Sequence, residues 1–359
     1  MSPRPANPFG PRGWTPDRIG DLRHKTYVVT GGNDGAGFHA SRILLAKGAR
    51  VVMANRNPDK SRAAIAALKD AMGPDVPVSF VRMDLASLAS VREAAEGLRA
   101  STPRIDALVC NAAIAQVPRR TLTEDGFESH LGVNHLGHFL LCALLFDRIA
   151  AASGRVVAVG SNAYKMGPRR LRFEDLDFAH GYSGWDAYAQ SKLAQTMFGF
   201  ELDRRCRDAN VPVRAFVCHP GASRTGLIAK NGGLRDRIVW GLLAPLVAQS
   251  AERGAWPEVM CATEPDLAPK TLYGPTKRMD TVGPVGPCPL DPIALDREAA
   301  AHLWSISEER VGVRWTPGRP PRPVDGSATV DGAFPDGAHA PHRGFEATSA
   351  PDHPAEVPS

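Results

Sequence analysis

Short apolar runs alternate with amphipathic segments through most of this chain. The runs are rich in Val, Ala and Leu, as in buried strands, and the segments between them have the spacing of helices with one apolar face. The predicted strands are Thr26–Thr30, Arg50–Ala54, Val78–Met83, Ala107–Cys110, Arg155–Gly160, Val213–Cys218 and Thr271–Tyr273. The predicted helices are Phe38–Lys47, Asp59–Met72, Ser87–Ala100, Phe127–Ile149, Trp185–Asp208 and Asp296–Glu309.

Apolar strands that alternate with helical crossovers are typical of a parallel sheet covered on both faces. The pattern therefore predicts an α/β fold, with a doubly wound, mostly parallel sheet of seven strands in a three-layer α/β/α arrangement.

Three regions differ in composition and give the domain organisation. Residues 1–22 are rich in Pro and Gly and predict an extended arm on the surface. Residues 23–315 carry the alternating pattern and predict one folded domain. Residues 316–359 are rich in Pro with few aliphatic residues, which predicts a disordered tail.

Composition and charge exclude several classes of protein. Of 359 residues, 43% are hydrophobic and 23% charged, which is ordinary for a globular protein. The net charge of +5 is scattered along the chain, so we expect no nucleic-acid partner. The six cysteines form no Cys-x-x-Cys pair, and we expect them to be buried and reduced, without a metal.

Location follows from the apolar runs. The N-terminus has no secretory signal, and the longest apolar run, Ile238–Ala248, is too short to span a bilayer. We therefore expect a cytoplasmic protein without a transmembrane segment. The oligomeric state stays open between monomer, dimer and tetramer.

A glycine-rich loop follows the first predicted strand. Gly31, Gly35 and Gly37 in Thr30–Gly37 let the backbone turn tightly and approach an anion at the N-terminus of the next helix. This position favours a pyrophosphate site that also includes Asn33 and Ala36. The alternative is a glycine-rich turn without a ligand.

The end of the second strand bears on the choice of nucleotide. A carboxylate that binds the ribose 2′-hydroxyl is common there, but this chain has Asn55-Arg56. A guanidinium suits a 2′-phosphate, so NADP(H) is preferred and NAD(H) stays possible. The alternative is that Arg56 is merely exposed. Asp84-Leu85 follows the third strand and is expected at the adenine edge, although a helix N-cap is equally natural.

Tyr188 and Lys192 are four residues apart, so they share one face of the predicted helix. A Tyr hydroxyl has a pKa of about 10, and a neighbouring ammonium lowers it. The pair predicts proton transfer to or from a substrate oxygen. A solvated helix face is the alternative for this pair alone.

Further motifs follow in order along the chain. They are Cys110-Asn111-Ala112-Ala113, Asn134 in Val-Asn-His-Leu-Gly-His-Phe, Ser161 after the fifth strand, and His219-Pro220-Gly221 after the sixth. With the glycine-rich loop and Tyr188-x-x-x-Lys192, they resemble the short-chain dehydrogenase/reductase family from about residue 22 to about 315. The longer stretches around Asn134 and Tyr188, and Gly-Ala-Trp-Pro downstream, resemble its branch of retinol dehydrogenases and protochlorophyllide reductases.

The resemblance implies a single Rossmann-type domain and a role for each motif residue. Tyr188 would be the general acid in reduction and the base in oxidation, Lys192 would lower its pKa and bind the nicotinamide ribose, and Ser161 would polarise the substrate oxygen. Asn134 would hold a water that links Lys192 to solvent. The cofactor set implied by the motifs is Gly31, Asn33, Gly35, Ala36, Gly37, Asn55, Arg56, Asp84, Leu85, Asn111, Ala112, Tyr188, Lys192, Pro220 and Gly221.

Three residues depart from the family pattern. Ala113 adds a methyl group near the cofactor, Gly160 stands before Ser161 and lends the loop flexibility, and Asp34 places a carboxylate near the phosphates.

The apolar stretch 222–249 predicts a substrate lid and hence an apolar aldehyde, ketone or alcohol as substrate. A packing helix or a dimer surface is the alternative for this stretch. His135, His138 and His219 are expected beside the core, whereas Glu201 and Asp203 are expected to be exposed.

The sequence predicts an NADP(H)-preferring oxidoreductase that interconverts an apolar carbonyl compound and its alcohol. Two alternatives remain. One is a reductase of an activated carbon–carbon double bond on the same fold. The other is a nucleotide-binding module without catalysis, for redox sensing or scaffolding.

Overall fold

A computed structural model of the chain describes residues 5–222 and 249–324. Its centre is an eight-stranded sheet in the order β3-β2-β1-β4-β5-β6-β7-β8. All neighbours pair in parallel except β7 and β8, which are antiparallel. The strands are β1 (Thr26–Thr30), β2 (Arg50–Asn55), β3 (Val78–Arg82), β4 (Ala107–Cys110), β5 (Arg155–Val159), β6 (Arg214–Cys218), β7 (Leu272–Lys277) and β8 (Val282–Cys288).

Helices cover both faces of this sheet, and each face has its own buried apolar cluster. One layer contains α1 (Gly35–Ala46), α2 (Pro58–Met72) and α6 (Ala251–Thr263). The other contains α3 (Leu88–Ser101), α4 (Ser129–Ala150), α5 (Gly184–Asp208) and α7 (Arg297–Val311). Two short strands, β9 (Val313–Arg314) and β10 (Arg322–Pro323), pair beyond α7. The predicted three-layer α/β class is confirmed.

The strand order reverses between β1 and β4. The chain runs outward from β1 to β3 and then crosses back to β4, which pairs with β1 on its other side. The loops after these two strands leave the sheet in opposite directions. A crevice therefore opens at the carboxyl ends of the strands, the usual place for a ligand in this fold.

The central sheet has one more strand than the sequence predicts, and the described residues include one more α-helix. β8 was missed because Pro284 and Pro287 interrupt its apolar pattern, and prolines are tolerated at a sheet edge. α6 was missed because Pro257 lies inside it and removes one backbone donor.

Most described residues of the N-terminal arm are exposed or half-exposed, but a few of its side chains anchor it to the fold, which the sequence did not predict. Trp14 is fully buried, Ile19 and Leu22 are also buried, and the Trp14 backbone N–H donates to Val285 O of β8 at 2.9 Å. The Trp14 indole N–H donates to Glu264 Oε2 at 2.8 Å. The frequent Pro and Gly of this segment hid its few anchoring apolar side chains.

The predicted boundaries at the other end also shift. The compact unit extends to Val324, beyond the predicted boundary at 315, because β10 pairs with β9. The remainder of the predicted tail, and residues 223–248 of the predicted lid, lie outside the described residues. The two described ends of that stretch meet, since the Gln249 N–H donates to Ala222 O at 2.8 Å.

Glu201 and Asp203 are buried, not exposed as the sequence predicts. Arg204 and Arg205 donate to Glu201, and Arg207 and Arg214 donate to Asp203, with N–O distances between 2.5 and 3.0 Å. Buried carboxylates persist only when they are paired. The arginines cover the two carboxylates from the solvent side. In the sequence, this mixture of charges looks like an exposed helix face, so the burial of Glu201 and Asp203 was not predicted.

Helix α4 is long and apolar enough to cross a membrane by length and composition. However, 94% of its most apolar window is buried inside the fold, as in the core helix of a globular protein.

Glu258 on α6 is fully buried, and neither of its carboxylate oxygens has a hydrogen-bond partner among the described residues. Burial raises the pKa of Glu258 to about 8, and the charge of Lys192 opposes that rise. The carboxyl is therefore neutral in the folded protein at neutral pH, although it is ionised in the unfolded chain.

We expect Trp14→Ala to lower the free energy of unfolding by about 3–5 kcal/mol, because it opens a large cavity under β8. Urea denaturation measures this. Met279→Ala is the control, since Met279 is 87% exposed and its loss should cost less than about 0.5 kcal/mol. Equal small effects for both variants would show that the arm does not stabilise the fold.

We expect Glu258→Gln to flatten the pH dependence of stability. In the wild type the carboxyl must take up a proton on folding between its ordinary pKa of 4.5 and about 8, so stability is lost as pH rises through this window. The advantage of the Gln variant should grow by about 1.4 kcal/mol per pH unit there.

Urea denaturation at several pH values between 5 and 8 tests this expectation, with Glu252→Gln, half-exposed on the same helix, as the matched control. Parallel pH profiles for the wild type and Glu258→Gln would contradict it.

Candidate functional site

A cavity of about 620 Å³ opens at the carboxyl ends of the parallel strands. The predicted cofactor residues line it, except for Gly37, which lies behind the first loop. Ser161 also lines it, whereas Asn134 is buried behind its wall. One cavity therefore brings together residues from the ends of β1, β2, β4, β5 and β6.

The loop between β1 and α1 forms one end of the cavity. Gly31 has φ +66°, a conformation that favours glycine. A side chain on Gly37 would meet Asn111 Nδ2 at 2.4 Å and Gly31 O at 2.5 Å, so only glycine lets α1 start this close to β4. Asp34 is exposed and caps α1, with the Gly35 N–H donating to Oδ1 at 2.8 Å. The predicted acidic side chain near the phosphate site thus acts as a helix cap.

Asn111 and Thr30 connect the ends of β4 and β1. Asn111 Nδ2 donates to Thr30 O at 2.7 Å, and the Ala112 N–H donates to Thr30 Oγ1 at 2.9 Å. Thr30 Oγ1 also lies 2.9 Å from His138 Nε2 of α4. These contacts fix both loops that border the crevice.

The end of β2 carries the hydrogen-bonded Asn55 amide and lies beside two positively charged side chains. Asn55 Nδ2 and Asn33 Nδ2 both donate to the buried Ser61 hydroxyl, at 3.1 and 3.3 Å. The Arg56 side chain is 73% exposed, and its Nε lies 3.9 Å from Asp84 Oδ2. Lys60, from the first turn of α2, lines the same part of the cavity. Two cations thus stand where the sequence predicted one.

Asp84 and Leu85 line the cavity beside this cation pair. Asp84 Oδ1 accepts the Ala86 N–H at 3.0 Å, whereas α3 is capped by Ser87, which accepts the Ser90 N–H. The alternative that Asp84 serves as the helix cap is therefore wrong.

Tyr188 and Ser161 meet at the opposite end of the cavity. The neighbouring Ser161 hydroxyl acts to lower the pKa of Tyr188, but burial has the larger effect and raises it above its ordinary value. The net direction is opposite to the predicted lowering. Tyr188 therefore carries its proton at neutral pH.

Lys192 lies one turn further along α5 and is buried. Its Nζ donates to Val159 O at the end of β5, at 2.9 Å. Burial lowers the pKa of Lys192 to about 8, whereas Glu258 acts to raise it. Gly160 allows this close packing, because a side chain there would meet Thr196 Oγ1 at 2.7 Å. Because Gly160 has no side chain, the end of β5 can contact α5.

Asn134 lies in a π-helical turn of α4, Gly132–Leu136. Its Oδ1 accepts the Ile114 N–H at 2.9 Å, and its Nδ2 donates to Ile114 O at 3.0 Å and to Ser191 Oγ at 2.9 Å. The side chain thus joins the segment after β4 to α5. The predicted water between Asn134 and Lys192 stays a prediction.

The segment after β6 closes the cavity near Tyr188. Pro220 O accepts Gln249 Nε2 at 2.8 Å, and the Gly221 N–H donates to His219 Nδ1 at 3.2 Å. His219, His135 and His138 are all buried, as predicted, and burial lowers the pKa of each, to about 3 for the first two and about 4 for His138. They are neutral at neutral pH and so offer no positive charge to an anion. The six cysteines are also buried and free, as predicted.

Several lining residues were not predicted. Most of them lie just beyond the ends of strands or in first helical turns, and they are Asn57, Lys60, Ile114, Ala115, Gln116, Val133, Asn162, Ala163, Trp185, His219, Asp280 and Thr281. Lys60 could have been found, since Asn57-Pro58 marks the start of α2. Asp280 and Thr281 could not, because they depend on the unpredicted β7–β8 hairpin.

The two ends of the cavity suit different chemistry. The start of α1 and the Arg56–Lys60 cations suit phosphate groups. Tyr188, Ser161 and Lys192 suit proton transfer beside an oxygen atom. The residues present therefore fit an elongated dinucleotide with its reactive end at Tyr188.

Comparison with known proteins agrees with this geometry. The family described as short chain dehydrogenase matches residues 25–173. Human retinol dehydrogenase 12 is 36% identical over 298 residues, covering 82% of this chain and 88% of that protein. Human polyprenol dehydrogenase is 34% identical over 264 residues, covering 72% and 76%. A crystal structure from Mycobacterium paratuberculosis has a TM-score of 0.68 at 36% identity, covering 83% of this chain and 97% of that chain.

These similarities confirm the resemblance drawn from the motifs. They support an oxidoreductase of alcohols and carbonyl compounds, and the family implies binding of NAD(H) or NADP(H). With this identity along most of its length and this order of strands and site residues, the chain belongs to the short chain dehydrogenase family.

Proposed function

We propose that this protein is an NADP(H)-preferring oxidoreductase that interconverts an apolar aldehyde or ketone and its alcohol. The observation that carries the proposal is that Tyr188, Ser161 and the buried Lys192 line the same cavity as the glycine-rich loop. A non-catalytic nucleotide-binding module has no need of this arrangement, which argues against that alternative. The cytoplasmic location stays a prediction.

The cofactor preference rests on the end of β2. Arg56 and Lys60 offer two positive charges where a carboxylate would otherwise bind a ribose 2′-hydroxyl, and Asn55 beside them is neutral. Gly31, Gly35 and the backbone donors at the start of α1 would hold the pyrophosphate. When bound, the nicotinamide ring supplies or accepts the hydride.

Side chains of the protein, and not the cofactor, transfer the proton. Tyr188, kept protonated by burial, donates its proton to the substrate oxygen during reduction and takes it back during oxidation. The Ser161 hydroxyl donates a hydrogen bond to the same oxygen and stabilises the charge that develops there. Lys192 places a cation near this charge, held by Val159 O.

The substrate side supports an apolar compound. Apolar side chains of the cavity lining include Ile114, Ala115, Val133 and Trp185, and Ala115 and Trp185 pack in one cluster with Tyr188. Two relatives are named for retinol and polyprenol, both long apolar alcohols. Reduction of an activated carbon–carbon double bond is the alternative on the same fold, and detection of a saturated product in place of an alcohol would favour it.

The cofactor proposal is tested by fluorescence titration with NADPH and NADH. We expect Arg56→Ala to weaken NADPH binding by roughly 10- to 100-fold, because a charge-assisted hydrogen bond is lost, and to change NADH binding little. Arg50→Ala is the matched control, since Arg50 is exposed at the opposite end of β2. Equal affinity for both nucleotides in the wild type would overturn the NADP(H) preference.

The catalytic proposal is tested with Tyr188→Phe. We expect kcat on apolar carbonyl compounds to fall by about 10²- to 10⁴-fold, since the proton donor is removed, whereas NADPH affinity should fall far less. Tyr164→Phe is the control, because it removes a buried hydroxyl outside the cavity, one that accepts the Asp291 N–H. Full activity of Tyr188→Phe would exclude Tyr188 as the acid.

A further inference from the structure

The segment Ala113–Val117, here named the substrate wall, follows β4, and its residues from Ala113 to Gln116 line the cavity. Ala115 is buried and packs in one cluster with Tyr188. Gln116 has φ +51°, a strained conformation for a residue with a side chain. Such strain persists only where surrounding contacts enforce it, and it is common at functional sites.

The near end of the substrate wall is held by Asn134, whose amide binds both backbone groups of Ile114. Its far end is held at Val117 by three contacts. The Val117 N–H donates to His130 Nε2 at 3.3 Å, and Tyr182 Oη donates to Val117 O at 2.8 Å. A side chain on Gly184 would meet Val117 O at 2.4 Å, so the start of α5 also packs against this carbonyl.

Glu128 fixes the tautomer of His130. Because Nε2 accepts from Val117, the ring proton lies on Nδ1 and is donated to Glu128 Oε1 at 2.8 Å. Glu128 also accepts the N–H groups of His130 and Leu131, at 3.0 and 2.9 Å. His130 and Glu128 are both buried, 0% and 1% exposed, so the pair has one arrangement only.

The His130 ring also lies against Tyr188, with ring centroids 6.1 Å apart and the planes at 60°. One buried side chain thus contacts the proton donor and holds the wall on which a substrate would rest. A shift at Val117 would move Ala115 and change the distance between a bound substrate and the Tyr188 hydroxyl.

We propose that His130, oriented by Glu128, is a positioning residue that sets the place of the substrate relative to Tyr188 through the substrate wall. The proposal rests on the proposed function, because it concerns the same cavity. His130 does not line the cavity and takes no part in proton transfer itself. The cofactor residues at the ends of β1 and β2 lie outside this contact chain.

The test uses His130→Phe, which keeps a ring beside Tyr188 but removes the acceptor for the Val117 N–H. We expect kcat/KM for an apolar carbonyl compound to fall by roughly 10- to 100-fold, since small misplacements of a substrate are costly. NADPH affinity should be unchanged. His130→Gln should restore part of the activity, because its amide can accept from Val117 and donate to Glu128.

Tyr182→Phe removes the other hydrogen bond at Val117 and is the matched variant. Because His130 and Tyr182 hold the same residue, their effects on kcat/KM should be non-additive in the double variant. Additive effects, or equal losses of NADPH affinity and of substrate turnover, would overturn the positioning role and indicate a general loss of structure.

Backbone amide hydrogen exchange tests the role of His130 independently of the proposed function. In protein without substrate, His130→Phe should speed exchange of the Val117 N–H and its neighbours and leave exchange in β1 and β5 unchanged. If no carbonyl compound is turned over by the wild type, the proposed function fails while this result still stands. Unchanged exchange at Val117 would overturn the role of His130 even in an active enzyme.

Discussion

The buried ammonium of Lys192 is the constraint around which the site is built. A fully buried cation needs a fixed acceptor, and Val159 O provides one only because α5 lies very close to β5. That closeness in turn requires Gly160, since any side chain there would collide with Thr196. Burial makes Lys192 easier to deprotonate, and Glu258 on the far side of the sheet opposes that effect only when it is ionised.

Further buried hydrogen bonds fix the segments that form the cavity walls. Thr30, Asn111 and His138 join the ends of β1 and β4, and Asn134 joins the next segment to α5. Each of these groups is buried or nearly so and has partners, so the walls cannot shift without breaking hydrogen bonds in a poorly solvated place. The exposed Arg56 and Lys60, by contrast, can adjust to a ligand. The cavity walls near Tyr188 are thus rigid, whereas these two exposed side chains at the end of β2 are adaptable.

Much of this architecture could be predicted from the sequence. Apolar strands with helical crossovers have a strong period, and the Gly31–Gly37 loop, Asn111, Ser161 and the Tyr188–Lys192 pair follow recognisable positions relative to them. β8, α6 and the arm around Trp14 were missed because Pro and Gly obscured short apolar patterns. The burial of Glu201, Asp203 and Glu258 could not be predicted. The residues next to a carboxylate in the sequence do not indicate which distant residues the fold packs around it.

The raised pKa of Tyr188 was missed for a related reason. Sequence spacing indicates that Tyr188 and Lys192 share a helix face, but it does not give the depth at which the hydroxyl lies. Here burial has a larger effect than any neighbouring group. Likewise, Glu128 and His130 are two residues apart and show no helical pairing. Only the fold brings His130 against both Val117 and Tyr188.

The packed arm has a consequence for how this sheet meets other molecules. An edge strand offers unpaired backbone groups to any passing strand, and β8 is such an edge. The arm uses the carbonyl of Val285 twice, through the Trp14 N–H and the Asn7 amide at 3.2 Å. A strand from a second chain would have to displace a buried tryptophan before it could add to the sheet there. The arm therefore hinders addition of a further strand at this point of β8.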